Sequence, residues 1–116
     1  MDFNFTEEQT MLRDMVRKFT DNEIKPVARR IDKEHNVDLV KEIFKKGAEL
    51  GLCGIPFPEQ YGGAGFDYIS LGIVCEELEA CDTFLRVAMS VHVGLNSLSV
   101  YSWGTEEQKQ RYLVPQ

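Results

Sequence analysis

Residues 83–103 read TFLRVAMSVHVGLNSLSVYSW, and Arg86 is the only formal charge among them. A stretch this long and this apolar predicts a helix that needs cover on all sides. Its length would allow a membrane crossing. Ser90, His92, Asn96, Ser97, Ser99 and Ser102 would then load hydrocarbon with polar groups, so the segment reads as a helix buried inside protein. At about 100° per residue, Ser90, Val93, Gly94, Ser97 and Tyr101 share one stripe, while Leu85, Ala88, His92, Leu95 and Trp103 share the opposite one. The first stripe is small, which permits close approach of either another helix or a ligand chain.

Outward from this helix, the sequence is punctuated by helix starts. Thr105-Glu106-Glu107-Gln108 is a capping box that opens a short last helix toward Tyr112 and Leu113, and Thr6-Glu7-Glu8-Gln9 is the same box at the beginning. After Thr6, the residues Met11, Leu12, Met15, Val16 and Phe19 line one face. Ile24, Val27, Ala28 and Ile31 extend it past Pro26, which predicts a kinked helix over about residues 6 to 33. Asp38 is expected to cap a second helix carrying Leu39, Val40, Ile43, Phe44 and Ala48, stopped by Gly51. Asp67 is expected to cap a third, through Ile69, Ile73, Val74 and Leu78. Between these two, Leu52 to Gly65 holds two prolines and four glycines and predicts an ordered loop. No segment alternates, so the expected architecture is all-α, an irregular bundle of four to five helices.

The chain has 116 residues, the size of one domain, with 43% hydrophobic and 28% charged residues, the composition of an ordinary globular protein. Its formal charge of -6 argues against nucleic acid as a partner. Cys53, Cys75 and Cys81 form neither a disulfide framework nor a zinc motif, so reduced thiols and a cytoplasmic setting are expected. The start MDFNFTEEQ has neither the apolar run of a secretory signal nor the arginines of a transit peptide.

Chemistry-bearing patterns are sparse. His92 has no Ser or Asp at nucleophile-triad spacing and reads as a satisfied core histidine. No Glu-x-x-His pair exists for a di-metal bundle, and no metal is expected. Glu76, Glu77 and Glu79 point to different helix faces and read as solvated surface. Tyr61-Gly62-Gly63-Ala64-Gly65 lacks the following Lys-Ser or Lys-Thr of a phosphate loop.

In order and spacing, these motifs resemble the N-terminal helical domain of the acyl-CoA dehydrogenase family over essentially the whole chain. The resemblance is carried by Thr6-Glu7-Glu8-Gln9 and Pro26, by Glu49-Leu50-Gly51-Leu52, and by Ile55-Pro56 with Pro58-Glu59-Gln60-Tyr61-Gly62-Gly63-Ala64-Gly65. It continues through Glu76-Glu77-Leu78, Ser90-Val91-His92 and Gly104-Thr105-Glu106-Glu107-Gln108-Lys109-Gln110-Arg111-Tyr112-Leu113. It implies that residues 1–116 are one such domain, and that a β-domain and a C-terminal helical bundle are absent from this chain. It further implies an enzyme that uses FAD to dehydrogenate an acyl-CoA at its α,β carbons and passes electrons to an electron-transfer flavoprotein, acting as a homo-oligomer when full-length. The base and nearly all flavin contacts would lie in the absent parts, so no residue here is expected to be catalytic and this chain alone is expected to bind no FAD. The domain's share is one wall of the acyl pocket, formed by the helix matching residues 83–103. Ser90, Val93, Gly94 and Ser97 are the expected pocket residues, with Val93 near its floor. A related acyl-CoA oxidase, a flavin monooxygenase, or a freestanding helical interaction module is the alternative.

Overall fold

Thr6 opens the first helix as its capping box requires. Its hydroxyl accepts from the Gln9 amide at 3.1 Å, and the Gln9 side-chain oxygen accepts from the Thr6 amide at 3.0 Å. The computed structural model describes residues 1–116 and contains helices and turns with no strand. Helix α1 (Glu7–Phe19) widens into a π turn at Thr20–Ile24. The expected kinked helix is in fact two, because Pro26 has no N–H to carry the ladder onward and α2 (Ala28–Glu34) begins only after Val27. That break raises the helical segments from the four or five expected to six.

Helix α2 ends at His35, whose φ of 49° is left-handed. The turn is so tight that Asn36, not Asp38, caps α3 (Val37–Glu49), its side-chain oxygen accepting from the Leu39 amide at 3.1 Å. Asp38 lies in the first turn, where its charge still favours the helix dipole. The segment after α3 is the predicted loop, with single 3₁₀ turns at Leu52–Gly54 and Glu59–Tyr61. It folds back on itself through Ala64 N–H to Gly54 O, Phe66 N–H to Ile55 O and Gly65 N–H to Phe57 O, each 2.9 Å. Gly63 passes so close to Phe57 that a Cβ would sit 2.1 Å from its carbonyl oxygen.

Asp67 caps α4 (Tyr68–Glu79) as expected, accepting from the Ser70 amide at 2.8 Å, and also from the Gln9 side chain at 3.3 Å, which ties α4 to α1. Ile69 departs from its assigned place: it is 61% exposed, and Ser70, whose hydroxyl is satisfied by Asp67, takes the buried position. Met11 on α1 is likewise exposed. Asp82 caps α5 (Thr83–Val91), which passes through a π turn at His92–Ser97 into α6 (Leu98–Trp103) as one continuous rod. The second capping box opens α7 (Glu106–Gln108), followed by a π turn at Lys109–Leu113.

Leu12, Val16, Phe19 and Ile24 meet Ile43, Leu52, Ile55, Val74 and Leu78 in a single core, closed on one side by Leu85, Met89 and Val93 of the long rod. The molecule measures 42 × 39 × 20 Å. Its short dimension is two helix diameters, so the fold is a two-layer slab in which the rod has neighbours on one side only.

Candidate functional site

The rod from Thr83 to Trp103 decides what this slab can do. Leu85, Met89, Val93 and Ser97 are buried, and on the far side Phe84, Val87, Val91 and Leu95 are 59%, 38%, 45% and 69% exposed. The all-round burial expected for this helix is therefore not met within the chain. Four large apolar side chains at spacings of three and four make a contiguous apolar face in water, a feature that marks a surface built to be covered.

The four expected pocket residues divide between the two sides. Val93 is 1% exposed and belongs to the core, and Ser97 is 2% exposed, its hydroxyl donating to the Gln116 side-chain oxygen at 2.9 Å. Neither presents a surface to a ligand. Ser90 and Gly94 are half-buried at the margin of the apolar face. Nothing lies within 4 Å of the place where a Gly94 Cβ would stand, so the space beside it is open. A wheel of constant pitch put all four on one stripe. The π turn at His92–Ser97 underwinds the rod at that point, rotating Ser97 back toward the core below Val93. Val87 and Val91 belong to neither stripe of a wheel read for small residues, and Leu95 to the opposite one; the i, i+4, i+8 spacing of the three is the signal for their shared face.

Three arrangements hold the rod in place. Asp82 accepts from the Leu85 amide at 2.8 Å and fixes its start. Tyr101 stacks at 5.6 Å on Phe57 and at 5.9 Å on Tyr61, both from the glycine-rich loop. Tyr61 in turn donates to Glu106 at 2.8 Å, and Lys109 stands over both tyrosine rings. The Tyr61 hydrogen bond holds the Glu106 carboxyl below its usual range, and the same carboxylate pushes the Tyr61 phenol up. In the middle, His92 packs edge-on against Phe44 of α3 at 5.6 Å. Its Nε2 is buried without a partner, contrary to the satisfied histidine expected, and burial lowers its pKa below the usual value.

A flavin or nucleotide phosphate would look for free backbone amides, and the glycine loop is the place to test. Its amides are already used: Gly62 N–H donates to Glu59 O at 2.8 Å, Gly63 N–H to Pro58 O at 3.2 Å, and those of Ala64 and Gly65 close the loop on itself. The residues present do not fit an FAD phosphate there. No helix is long and apolar enough to cross a membrane.

The family model for the acyl-CoA dehydrogenase N-terminal domain matches residues 6–116. A short-chain specific acyl-CoA dehydrogenase of Clostridium acetobutylicum is 46% identical over 115 residues, which is 99% of this chain and 30% of that protein. The butyryl-CoA dehydrogenase of Megasphaera elsdenii superposes with a TM-score of 0.87 at 31% identity, over 99% of this chain and 30% of that one. An acyl-CoA dehydrogenase of Bacillus anthracis, solved with FAD, gives 0.88 at 32% identity over 96% of this chain and 19% of that one. The chain thus spans about 30% of the length of the first of these relatives. With the family model covering residues 6–116 and the fold superposing over nearly the whole chain, this chain belongs to the acyl-CoA dehydrogenase family and corresponds to its N-terminal helical domain.

Proposed function

We propose that this chain is the N-terminal part of an FAD-dependent enzyme that dehydrogenates an acyl-CoA thioester at its α,β carbons, and that it supplies one wall of the acyl pocket. The observation that carries the reading is the uncovered apolar face of Val87, Val91 and Leu95, on the helix that the family resemblance assigns to that wall. An aliphatic chain laid against such a face gains about 0.8 kcal/mol per methylene removed from water, without any polar group to satisfy. Ser90 and Gly94 border the face and set how near the chain can come to the rod. Val93 and Ser97 support it from behind.

FAD, when bound, supplies the electron sink, and residues outside this chain hold it together with the base that takes the α-proton. An electron-transfer flavoprotein is the proposed acceptor. The test is to purify the protein at the length of its relatives and to measure its flavin absorbance. Acyl-CoA esters from butanoyl to palmitoyl are then assayed with an artificial electron acceptor. Oxidation of any of these esters with reduction of the acceptor supports the proposal. A flavin-loaded protein that turns over none of them overturns it. The 116-residue chain purified alone is expected to be colourless.

A further inference from the structure

Of the rod's serines, Ser90, Ser97, Ser99 and Ser102, only Ser97 is buried, and a buried hydroxyl needs a partner. The partner lies far along the chain. Gln116 Oε1 accepts from the Ser97 hydroxyl at 2.9 Å and from Asn96 Nδ2 at 3.1 Å, so consecutive residues of the rod converge on one atom. Gln116 is held from its own side as well. Its amide donates to the carbonyl of the buried Leu113 at 3.2 Å, at the end of a turn that packs against α6. In an α-helix, consecutive side chains diverge by about 100°, which sets two neighbouring donors apart. The π turn at His92–Ser97, closed by the Leu98 N–H on the Val93 carbonyl, underwinds the rod and narrows that angle. Turn and tie therefore depend on each other: the turn presents both donors, and the acceptor holds the turn against relaxation to α-helix. Gly94 and Leu95 lie inside the same turn.

We propose that Gln116 is a positioning residue for the acyl wall: acting through Asn96 and Ser97, it holds the π turn and with it the facing of Gly94 and Leu95 toward the substrate. The proposal rests on the reading of the rod as that wall. Gln116 itself touches no substrate. It fixes how the open margin at Gly94 and the apolar side chain of Leu95 are turned, and so how closely an aliphatic chain fits along the rod.

The experiment uses the flavin-loaded full-length enzyme and the ester it turns over best in the series from butanoyl-CoA to palmitoyl-CoA. Gln116→Met keeps the length of the side chain and removes the acceptor, whereas Gln116→Glu keeps an acceptor for both donors. Apolar contact with the acyl chain is the same in the ground state and the transition state, so its loss is read in KM. Gln116→Met should raise KM on the order of 10-fold, the worth of about two methylenes, with kcat little changed. Gln116→Glu should stay near the parent value. On a Ser97→Ala background the effect of Gln116→Met should shrink, because one of the two donors it serves is already gone. An unchanged KM, or a lowered Tm with the loss confined to kcat, overturns the positioning role and leaves the proposed function standing. So does a Gln116→Glu variant as impaired as Gln116→Met, or an undiminished effect on the Ser97→Ala background. A flavin-loaded parent enzyme that turns over no ester overturns both readings.

Discussion

Replacing Gly94 by leucine separates a pocket wall from a packing surface, because the two readings move different observables. Gly94 is half-buried in the long rod with nothing within 4 Å of a would-be Cβ, so the four added carbons enter space outside this domain's core. Within the domain the change should do no harm, and removing a helix-interior glycine stabilises by up to about 1 kcal/mol. In the full-length enzyme the same carbons stand where the acyl chain is proposed to lie. If the leucine displaces two methylenes of a long substrate, the loss is roughly 1.6 kcal/mol, about 15-fold in kcat/KM relative to a substrate too short to reach it. The companion variant is Val93→Leu, which overfills a core position that is 1% exposed. It should lower stability by about 1 to 3 kcal/mol and reduce activity evenly across chain lengths. The assay is kcat/KM over acyl-CoA esters of increasing length for both variants, beside their Tm values. A parallel loss at every length for Gly94→Leu, with a lowered Tm, would refute the reasoning and return Gly94 to the packing surface.

Gly63→Ala should destabilise the protein by on the order of 3 kcal/mol in thermal unfolding, because a Cβ 2.1 Å from the Phe57 carbonyl oxygen forces the loop open. Tyr61→Phe removes the hydrogen bond to Glu106 and should lower the Tm, with Glu106 titrating closer to its ordinary range by NMR. For His92, whose folded pKa lies below its ordinary 6.5, the unfolded chain binds the proton more readily. Stability should therefore fall as the pH drops through 6.5 toward the folded value and level off below it. His92→Phe should flatten that part of the Tm against pH curve; an unchanged slope would assign it to other groups.

Where local chemistry decides the outcome, the sequence was legible. Both capping boxes, the Asp67 cap and the glycine- and proline-held loop lie where residue type and spacing placed them, because each depends on neighbours within four positions. Asn36 outcompeted Asp38 because the cap position was set by a left-handed His35, whose backbone the side-chain pattern does not encode. The rod between Thr83 and Trp103 was legible as a long helix and illegible in its facing. A π turn changes the rotation per residue without any signature in composition, so Ser97 turned inward below Val93, which continues the buried Leu85–Met89 side, while Ser90 and Gly94 stayed at the margin. The rod's open side was hidden for a different reason: burial read from sequence assumes that an apolar helix is covered on every side, and Phe84, Val87, Val91 and Leu95 have no such cover within this chain.

The one-sided slab has a consequence for biosynthesis. At roughly 5 to 20 residues per second, a ribosome making a protein of the relatives' length needs tens of seconds to complete it after these helices have emerged. Throughout that interval Phe84, Val87, Val91 and Leu95 face water on a nascent chain surrounded by others like it. The formal charge of -6 then acts as a repulsive guard between neighbouring polysome chains, one that weakens with salt. Substitutions that neutralise surface carboxylates should accordingly lower the yield of protein from translation before they alter the Tm of the molecules that reach completion.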